Sequence, residues 1–365
     1  MSHSIPSDQD CVHVLSLLTL GRQTQPLSTI DPVSFVAGLN DRQRAALLDI
    51  ARSHHVVIRA FARLQQDAAL AAEPSVVAWA GEVITRERAR VDNALPFLDS
   101  VCTELNSGGC ATTIIKSLDH WPDLGSDLDL YTTAEERKVV RIMRAKFKAN
   151  VEPRSWGDRL AQKWNFTIAG LPESIEIHCQ RLGQTGEHTD LAERFVIRRV
   201  FHALQGHTFP VPAPEERIIV ATLQRMYRHF FFRLSDILNS AALLDAGAVN
   251  FDELRTAAEL GGIWTGVATY LRLVCDYVRR YRDVAPELPA SVRDAALFGG
   301  KALFVRDCFI RVPVIPHGAK LYTRQVTRAA LRGDVPATIR LSLLPPLASV
   351  AAVAYKLTGS DKGIW

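Results

Sequence analysis

The chain lacks paired cysteines. Cys11, Cys102, Cys110, Cys179, Cys275 and Cys308 are scattered and form no C-x-x-C pair. That spacing suggests neither a zinc site nor a disulfide framework. Long apolar runs are absent too. A spanning helix needs roughly 18 such residues, and the nearest stretch, 341–357, is interrupted by Pro345-Pro346 and Ser349. The opening residues, MSHSIPSDQDCVHV, lack a basic stretch followed by a clean apolar core, so no signal peptide is expected. Charge of one sign is scarce: a net +4 gives no strong polyanion field and no strong nucleic-acid signal. Repeats and low-complexity tracts are missing. What is present is ordinary soluble composition, 47% hydrophobic and 22% charged. At 365 residues the chain can bury a large core and build two or three domains. The default expectation is a cytoplasmic enzyme with no membrane span.

Residues 1–30 are polar and read as a flexible N-terminal arm with one short apolar segment at 12–20. From Asp31 the pattern turns helical. Asp31-Pro32 and Asn40-Asp41 are helix starts, and apolar residues recur at three-to-four spacing through Val57, Ile58, Phe61 and Leu64. Helices are expected over 76–84 and 86–105, the second ended by Gly108-Gly109. Residues 31–106 thus make an N-terminal helical region. The period then changes. Residues 111–115 and 128–131 read as strands, separated by a connection with a Trp-Pro break. Thr133-Ala134-Glu135-Glu136 resembles a capping box and opens a basic helix through Lys148. Residues 164–168 and 174–179 read as two strands joined by a turn at Gly170-Leu171-Pro172-Glu173.

Helix returns at Pro214-Glu215-Glu216, with proline in the first turn and acids at the positive end of the dipole. It either continues to Leu244 or breaks near 230–232. Helices from Asn250 and over 264–281 follow, then a strand at 304–312 and a helix over 322–332. The expected fold class is α+β: a small mixed sheet with helical regions before and after it. The organisation is a core at 107–205, a helical domain at 206–285, and a C-terminal region at 286–365 without an assigned role.

The chemistry centres on Gly125-Ser126-Asp127-Leu128-Asp129-Leu130. Residues two apart in a strand share a face, so Asp127 and Asp129 project together while Leu128 and Leu130 enter the core. Adjacent carboxylates raise each other's cost of ionisation, and a cation between them removes it. Two oxygen ligands on a strand suit Mg²⁺; the alternative is a strand end with two solvated acids. In Ser174-Ile175-Glu176-Ile177-His178-Cys179, Glu176 and His178 share one face. Glu176 is a candidate third ligand. Two Mg²⁺ ions about 4 Å apart can then activate an attacking oxygen and neutralise a leaving pyrophosphate. Alternatively, Glu176 and His178 are the wet face of an edge strand.

The order of these pieces resembles the polymerase-β-like nucleotidyltransferase superfamily, and within it the bacterial nucleotidyltransferase family 5. The matching pieces are Ile115-Lys116-Ser117, Asp127-Leu128-Asp129, Glu176-Ile177-His178 and Arg233-Leu234-Ser235-Asp236, spanning roughly 31–282. The resemblance implies a metal-dependent enzyme that moves a nucleoside monophosphate from an NTP to an acceptor and releases pyrophosphate. It makes Asp127, Asp129 and Glu176 the catalytic metal ligands for Mg²⁺ or Mn²⁺. It gives the phosphates of an NTP, ATP first, to Lys116, Ser117 and Arg233, with Arg228 as an alternative to Arg233. His178 would lie behind the ligands or bind weakly. The acceptor would be a small molecule, a peptide or a protein rather than RNA. An alternative is a catalytically inactive nucleotide-binding or protein-interaction module on the same fold. The chain departs from the family in carrying Ser117 where glycine usually follows the lysine. Lys116 can also pair with the Asp127/Asp129 acids or be solvated. Asp119, His120 and Asp123 are loop polars or line the site mouth. Arg137, Arg141 and Arg144 share a helix face that is either solvated or binds phosphates or RNA. Arg233 and Asp236, three apart, can pair on their helix.

Overall fold

A computed structural model describes residues 7–21, 30–183 and 189–358, with backbone only at 156, 189 and 347–358. The chain begins with α1 (Asp8–Leu20), α2 (Pro32–Ala37), α3 (Asp41–Ser53), α4 (Val57–Leu70) and the 34-residue α5 (Pro74–Ser107). Then come β1 (Thr112–Ile114), β2 (Asp127–Thr132), α6 (Glu136–Phe147), β3 (Asn150–Val151), α7 (Trp156–Leu160), β4 (Lys163–Thr167) and β5 (Ser174–Cys179). A third stretch holds α8 (Thr189–Ile197), the hairpin β6 (Val200–Leu204) and β7 (His207–Val211), α9 (Pro214–Thr222), β8 (Phe231–Phe232) and α10 (Leu234–Asp245). The chain continues with α11 (Phe251–Leu260), α12 (Trp264–Val278), α13 (Ala290–Ala295), β9 (Phe304–Arg306), β10 (Phe309–Arg311), α14 (Ala319–Leu331) and α15 (Val335–Thr358). The α+β class holds. No helix among the described residues is long and apolar enough to cross a membrane.

The main sheet is mixed, in the order β1-β2-β5-β4-β3. Strands β2 and β5 are parallel neighbours at its centre; the other three pairings are antiparallel. The expected β4–β5 hairpin forms because Gly170 supplies the positive φ of its turn. Behind the sheet, Leu128, Leu130, Ile175 and Ile177 pack with Leu98 and Leu105 of α5 and Val139 and Met143 of α6.

Several expectations are corrected. The flexible arm is a docked helix over 8–20. Ser7 and Asp10 cap α1 reciprocally, and Val12, Val14, Leu15 and Leu18 are buried. Ser16 Oγ meets Tyr277 Oη at 2.8 Å, and Arg282 Nε donates to the Leu20 carbonyl at 3.0 Å. The polar flank masked a helical apolar stripe; residues 1–6 and 22–29 lie outside the described ones. The helices expected at 76–84 and 86–105 are the single α5, since nothing between Ile84 and Arg86 breaks the ladder. The expected boundary at 205/206 falls inside the β6–β7 turn, where Gln205 and Gly206 both take positive φ. Phe209 and Val211 of that hairpin belong to the sheet's core. The strand expected at 304–312 is a hairpin turning at Asp307-Cys308, and α15 runs through Pro345-Pro346.

The helical regions on either side of the sheet in sequence join in space. Leu15 of α1, Phe61 and Leu64 of α4, Ile237 of α10, and Leu273 and Val274 of α12 share one core. Val292, Ile310, Val312 and Leu321 from the C-terminal region are in it too, and β10 pairs with β8. Helix α5 serves both bodies. Its first half (Val76, Ala80, Val83, Ile84) packs in the helical core and its second half (Val91 to Leu105) in the sheet core. A cleft opens between the two bodies.

Candidate active site

The alternation of β2 works as its sequence requires. Leu128 and Leu130 are fully buried, while Asp127 and Asp129 face the cleft. The parallel register sets Asp129 opposite Glu176 and Tyr131 opposite His178. Strand β5 is flanked by β2 and β4, and Glu176 and His178 are both buried, so the edge-strand alternative is excluded. One ligand atom each from Asp129, Glu176 and His178 lie within 4.8 Å of one another. His178 Nε2 is 2.8 Å from Glu176 Oε1 and 3.8 Å from Asp129 Oδ1. Asp127 stands one strand pair further out, at the open end. The donor set is hard oxygen with one imidazole, which fits Mg²⁺ or Mn²⁺.

Electrostatics divide the three acids. Burial opposes ionisation of Glu176, but the bond to His178 and the charges of Lys116, His178 and Lys163 outweigh it and hold the carboxyl well below its ordinary value. Lys163 Nζ sits 2.8 Å from Glu176 Oε2 and 3.0 Å from Asp158 Oδ1. Asp127 is the opposite case. Although it is exposed at the strand end, partial desolvation by the surrounding protein, then the like charges of Asp129 and Glu176, push it up to about 6. Among the described residues it has no ion-pair partner.

Lys116 takes φ +66° and ψ −54°, with the Ser117 N–H donating back to the Ile115 carbonyl at 2.7 Å. This is a γ-turn of the rare, strained hand. A non-glycine residue held there costs of order 1–3 kcal/mol. The ammonium it delivers pairs with Asp129 Oδ1 and lies 3.9 Å from Glu176 Oε1. Thus the side chain expected either at the phosphates or at the acids is at the acids. Ser117 lines the cavity, with its hydroxyl engaged by the acid strand. Its Oγ accepts the Asp129 N–H at 2.7 Å and donates to the Asp127 carbonyl at 3.3 Å, pinning the acid strand.

The facing wall is helical. Between α9 and β8 the chain makes one π-helical turn, Leu223–Arg228, a feature common at functional sites. That turn presents Gln224, Arg225 and Arg228 to the cleft beside Arg233. Asp236 binds Arg225 Nε at 2.7 Å and caps the Arg233 backbone N–H at 2.7 Å. The expected Arg233–Asp236 side-chain pair is therefore replaced by Arg225–Asp236. Arg228 and Arg233 have no carboxylate partner among the described residues. Burial first, then the charge of Arg225, lowers Arg233 to about 10, still protonated at neutral pH.

The floor is a polar network. Asp119 and His120 line the cleft, and Asp119 pairs with Arg217 Nε at 2.6 Å. Asp123 is buried instead. It accepts the Ile58 N–H of α4 at 2.6 Å and Arg59 Nε at 3.2 Å. Gly125 leads into β2 under the His55 ring, whose Cε1 would lie 3.2 Å from a Cβ there. The cavity enclosed by these walls is about 220 Å³.

Arg137, Arg141 and Arg144 are exposed on α6 and do not line it. Sequence reasoning did not single out Lys163, Arg217, Gln224 or His55. Only Arg217 and Gln224 left a local signal, on one face of α9 and its continuation with Val220 and Ala221. No family model matches the chain, and no curated protein matches it.

Proposed function

We propose that the protein is a metal-dependent nucleotidyltransferase that transfers an NMP group from an NTP, ATP first, to an acceptor with release of pyrophosphate. The observation that carries this is the pairing of two unlike walls. Carboxylates from adjacent parallel strands face two guanidinium groups without carboxylate partners, among the described residues, across one cavity. A nucleoside triphosphate chelated to Mg²⁺ or Mn²⁺ brings the opposite charge to each wall. When bound, the divalent ions would activate the acceptor oxygen and offset charge on the leaving group. Asp127, Asp129 and Glu176 would hold them, with His178 and Lys163 fixing the Glu176 carboxylate. Arg228 and Arg233 would take phosphate oxygens through charge-assisted hydrogen bonds. The acceptor oxygen attacks the α-phosphorus in line; the new O–P bond forms as the Pα–O–Pβ link breaks, and pyrophosphate carries off the electron pair. The catalytic contribution is positioning and charge neutralisation.

The acceptor class we favour is a small molecule, peptide or protein, because the exposed arginines of α6 stand outside the cavity. A cytoplasmic setting accords with six free cysteines. A second reading, nucleotide binding without turnover, is favoured by the Ser117 hydroxyl and N–H, both engaged within the protein. Incubation of the purified protein with α-labelled NTPs, Mg²⁺ and a cell extract separates the two. Transfer of label to an acceptor with stoichiometric pyrophosphate supports the enzyme. Binding without label transfer favours the module, and no thermal stabilisation by Mg²⁺ with any NTP removes both.

A further inference from the structure

The place of a cation among these acids is already taken by a side chain. Lys116 Nζ is paired with Asp129 and stands 3.9 Å from Glu176 Oε1, the two carboxylates of the metal-capable group. Two features make this more than a surface ion pair. Lys116 is only 14% exposed and Asp129 13%, so the pair is largely shielded from water. The backbone at Lys116 also adopts a left-handed conformation that glycine enters freely and lysine does not. The turn is fixed from both sides: the Ser117 N–H bonds the Ile115 carbonyl at 2.7 Å, and the Lys116 carbonyl accepts the Asp119 N–H at 2.9 Å. A strained backbone therefore aims an ammonium into the acid cluster.

We propose that Lys116 is a tethered competitor for the divalent ion. It neutralises Asp129 and Glu176 in the metal-free protein and must leave before the ion can bind. This rests on the metal-site reading above and adds its regulation: affinity for the ion is set by the cost of displacing the lysine. The apparent affinity of a site falls by the fraction of molecules in which it is free, so a lysine bound nine-tenths of the time weakens the ion by about tenfold. Asp127 has no such competitor among the described residues, which leaves one open carboxylate for the first contact of an incoming ion.

The test is Mn²⁺ titration followed by electron paramagnetic resonance, in which bound ion loses the signal of the free aqueous ion. The full chain is compared with Lys116→Met, which keeps the stem and removes the charge, and with Lys116→Gly, which also suits the backbone. Asp129→Asn is the control for the site. The expected result is Mn²⁺ binding on the order of tenfold tighter in both Lys116 variants than in the wild type. Binding seen only in the variants supports the proposal equally. Wild-type binding with equal or weaker binding in the variants overturns it and leaves the proposed function standing. Absence of binding in every protein overturns both. If Lys116→Met fails to fold by its melting curve, Lys116→Gly decides alone.

Discussion

The two walls of the cleft treat charge differently. On the sheet wall, most of the acid charge is answered from the sheet body itself: Asp129 by Lys116, Glu176 by Lys163 and His178. Only Asp127 is left over. On the helical wall the cations are in excess. Arg225 has Asp236 and Arg217 has Asp119, but Arg228 and Arg233 have no acid among the described residues. Both are half-buried, and an unpaired charge partly withdrawn from water is costly, so its retention needs a reason outside the fold. Each wall is short of the charge that a metal-chelated polyphosphate would supply, one a cation and the other an anion. A purely structural interface would pair the arginines with the spare acid, and this one does not.

The largest expected effect breaks the sheet wall. Asp129→Ala should lower label transfer by roughly 10³-fold, the scale of losing a pre-organised electrostatic group, with an unchanged far-ultraviolet circular dichroism spectrum. Wild-type turnover in that variant would sink the assignment. Next comes acid loss of the helical wall. His54 is buried and neutral, its Nδ1 accepting the Leu234 N–H at 2.9 Å and its Nε2 donating to the Cys308 carbonyl at 2.7 Å. Burial lowers it from 6.5 to about 4. The unfolded chain takes up the proton near pH 6.5 and the folded one resists until about pH 4. Stability should therefore fall by about 3 kcal/mol across that window. Urea melts at neutral pH and at the acid end check this, and His54→Asn should flatten the dependence.

A smaller effect reaches the helical wall through its packing. A Cβ at Gly266 would overlap Tyr227 Oη, which lies on the π turn between Arg225 and Arg228. Gly266→Ala should cost about 2 kcal/mol, the usual scale of overpacking, read as a lower melting temperature. The smallest effect sharpens the contrast most. Arg233→Met should weaken tripolyphosphate binding by about tenfold, the loss of one charge-assisted hydrogen bond. It should also raise the melting temperature slightly, because it removes a half-buried charge without a carboxylate partner among the described residues. Calorimetric titration and a thermal melt on the same sample measure both; a variant that binds normally and melts lower refutes the contrast.

Much of the fold and the site is legible in the chain itself. The Asp127/Asp129 face and the β4–β5 hairpin follow from local rules, side-chain period and turn residues, whereas the sequence leaves open whether the helix from Pro214 runs on to Leu244 or breaks near 230–232. The same period puts Glu176 on the polar face of β5 beside His178, and the parallel register sets it opposite Asp129. What is not legible depends on distant partners. The hairpin itself is expected, but the sequence pattern starts its first strand at 164, so Lys163 lies outside it and nothing local turns that lysine onto Glu176. The α1 stripe is visible as apolar residues, but its partners Tyr277 and Arg282 are more than 250 residues away.

The sequence by itself determined which residues could share a face and which chemistry those faces could carry. Backbone period is a local property of each segment, so Asp127 with Asp129 and Glu176 with His178 needed no tertiary information. The tertiary structure alone decided which faces meet, which acids keep a cation and which arginines are left without one. Those outcomes come from joining two hydrophobic cores along α5 and closing a cleft between them. Burial and charge pairing act across space, where sequence separation has no weight.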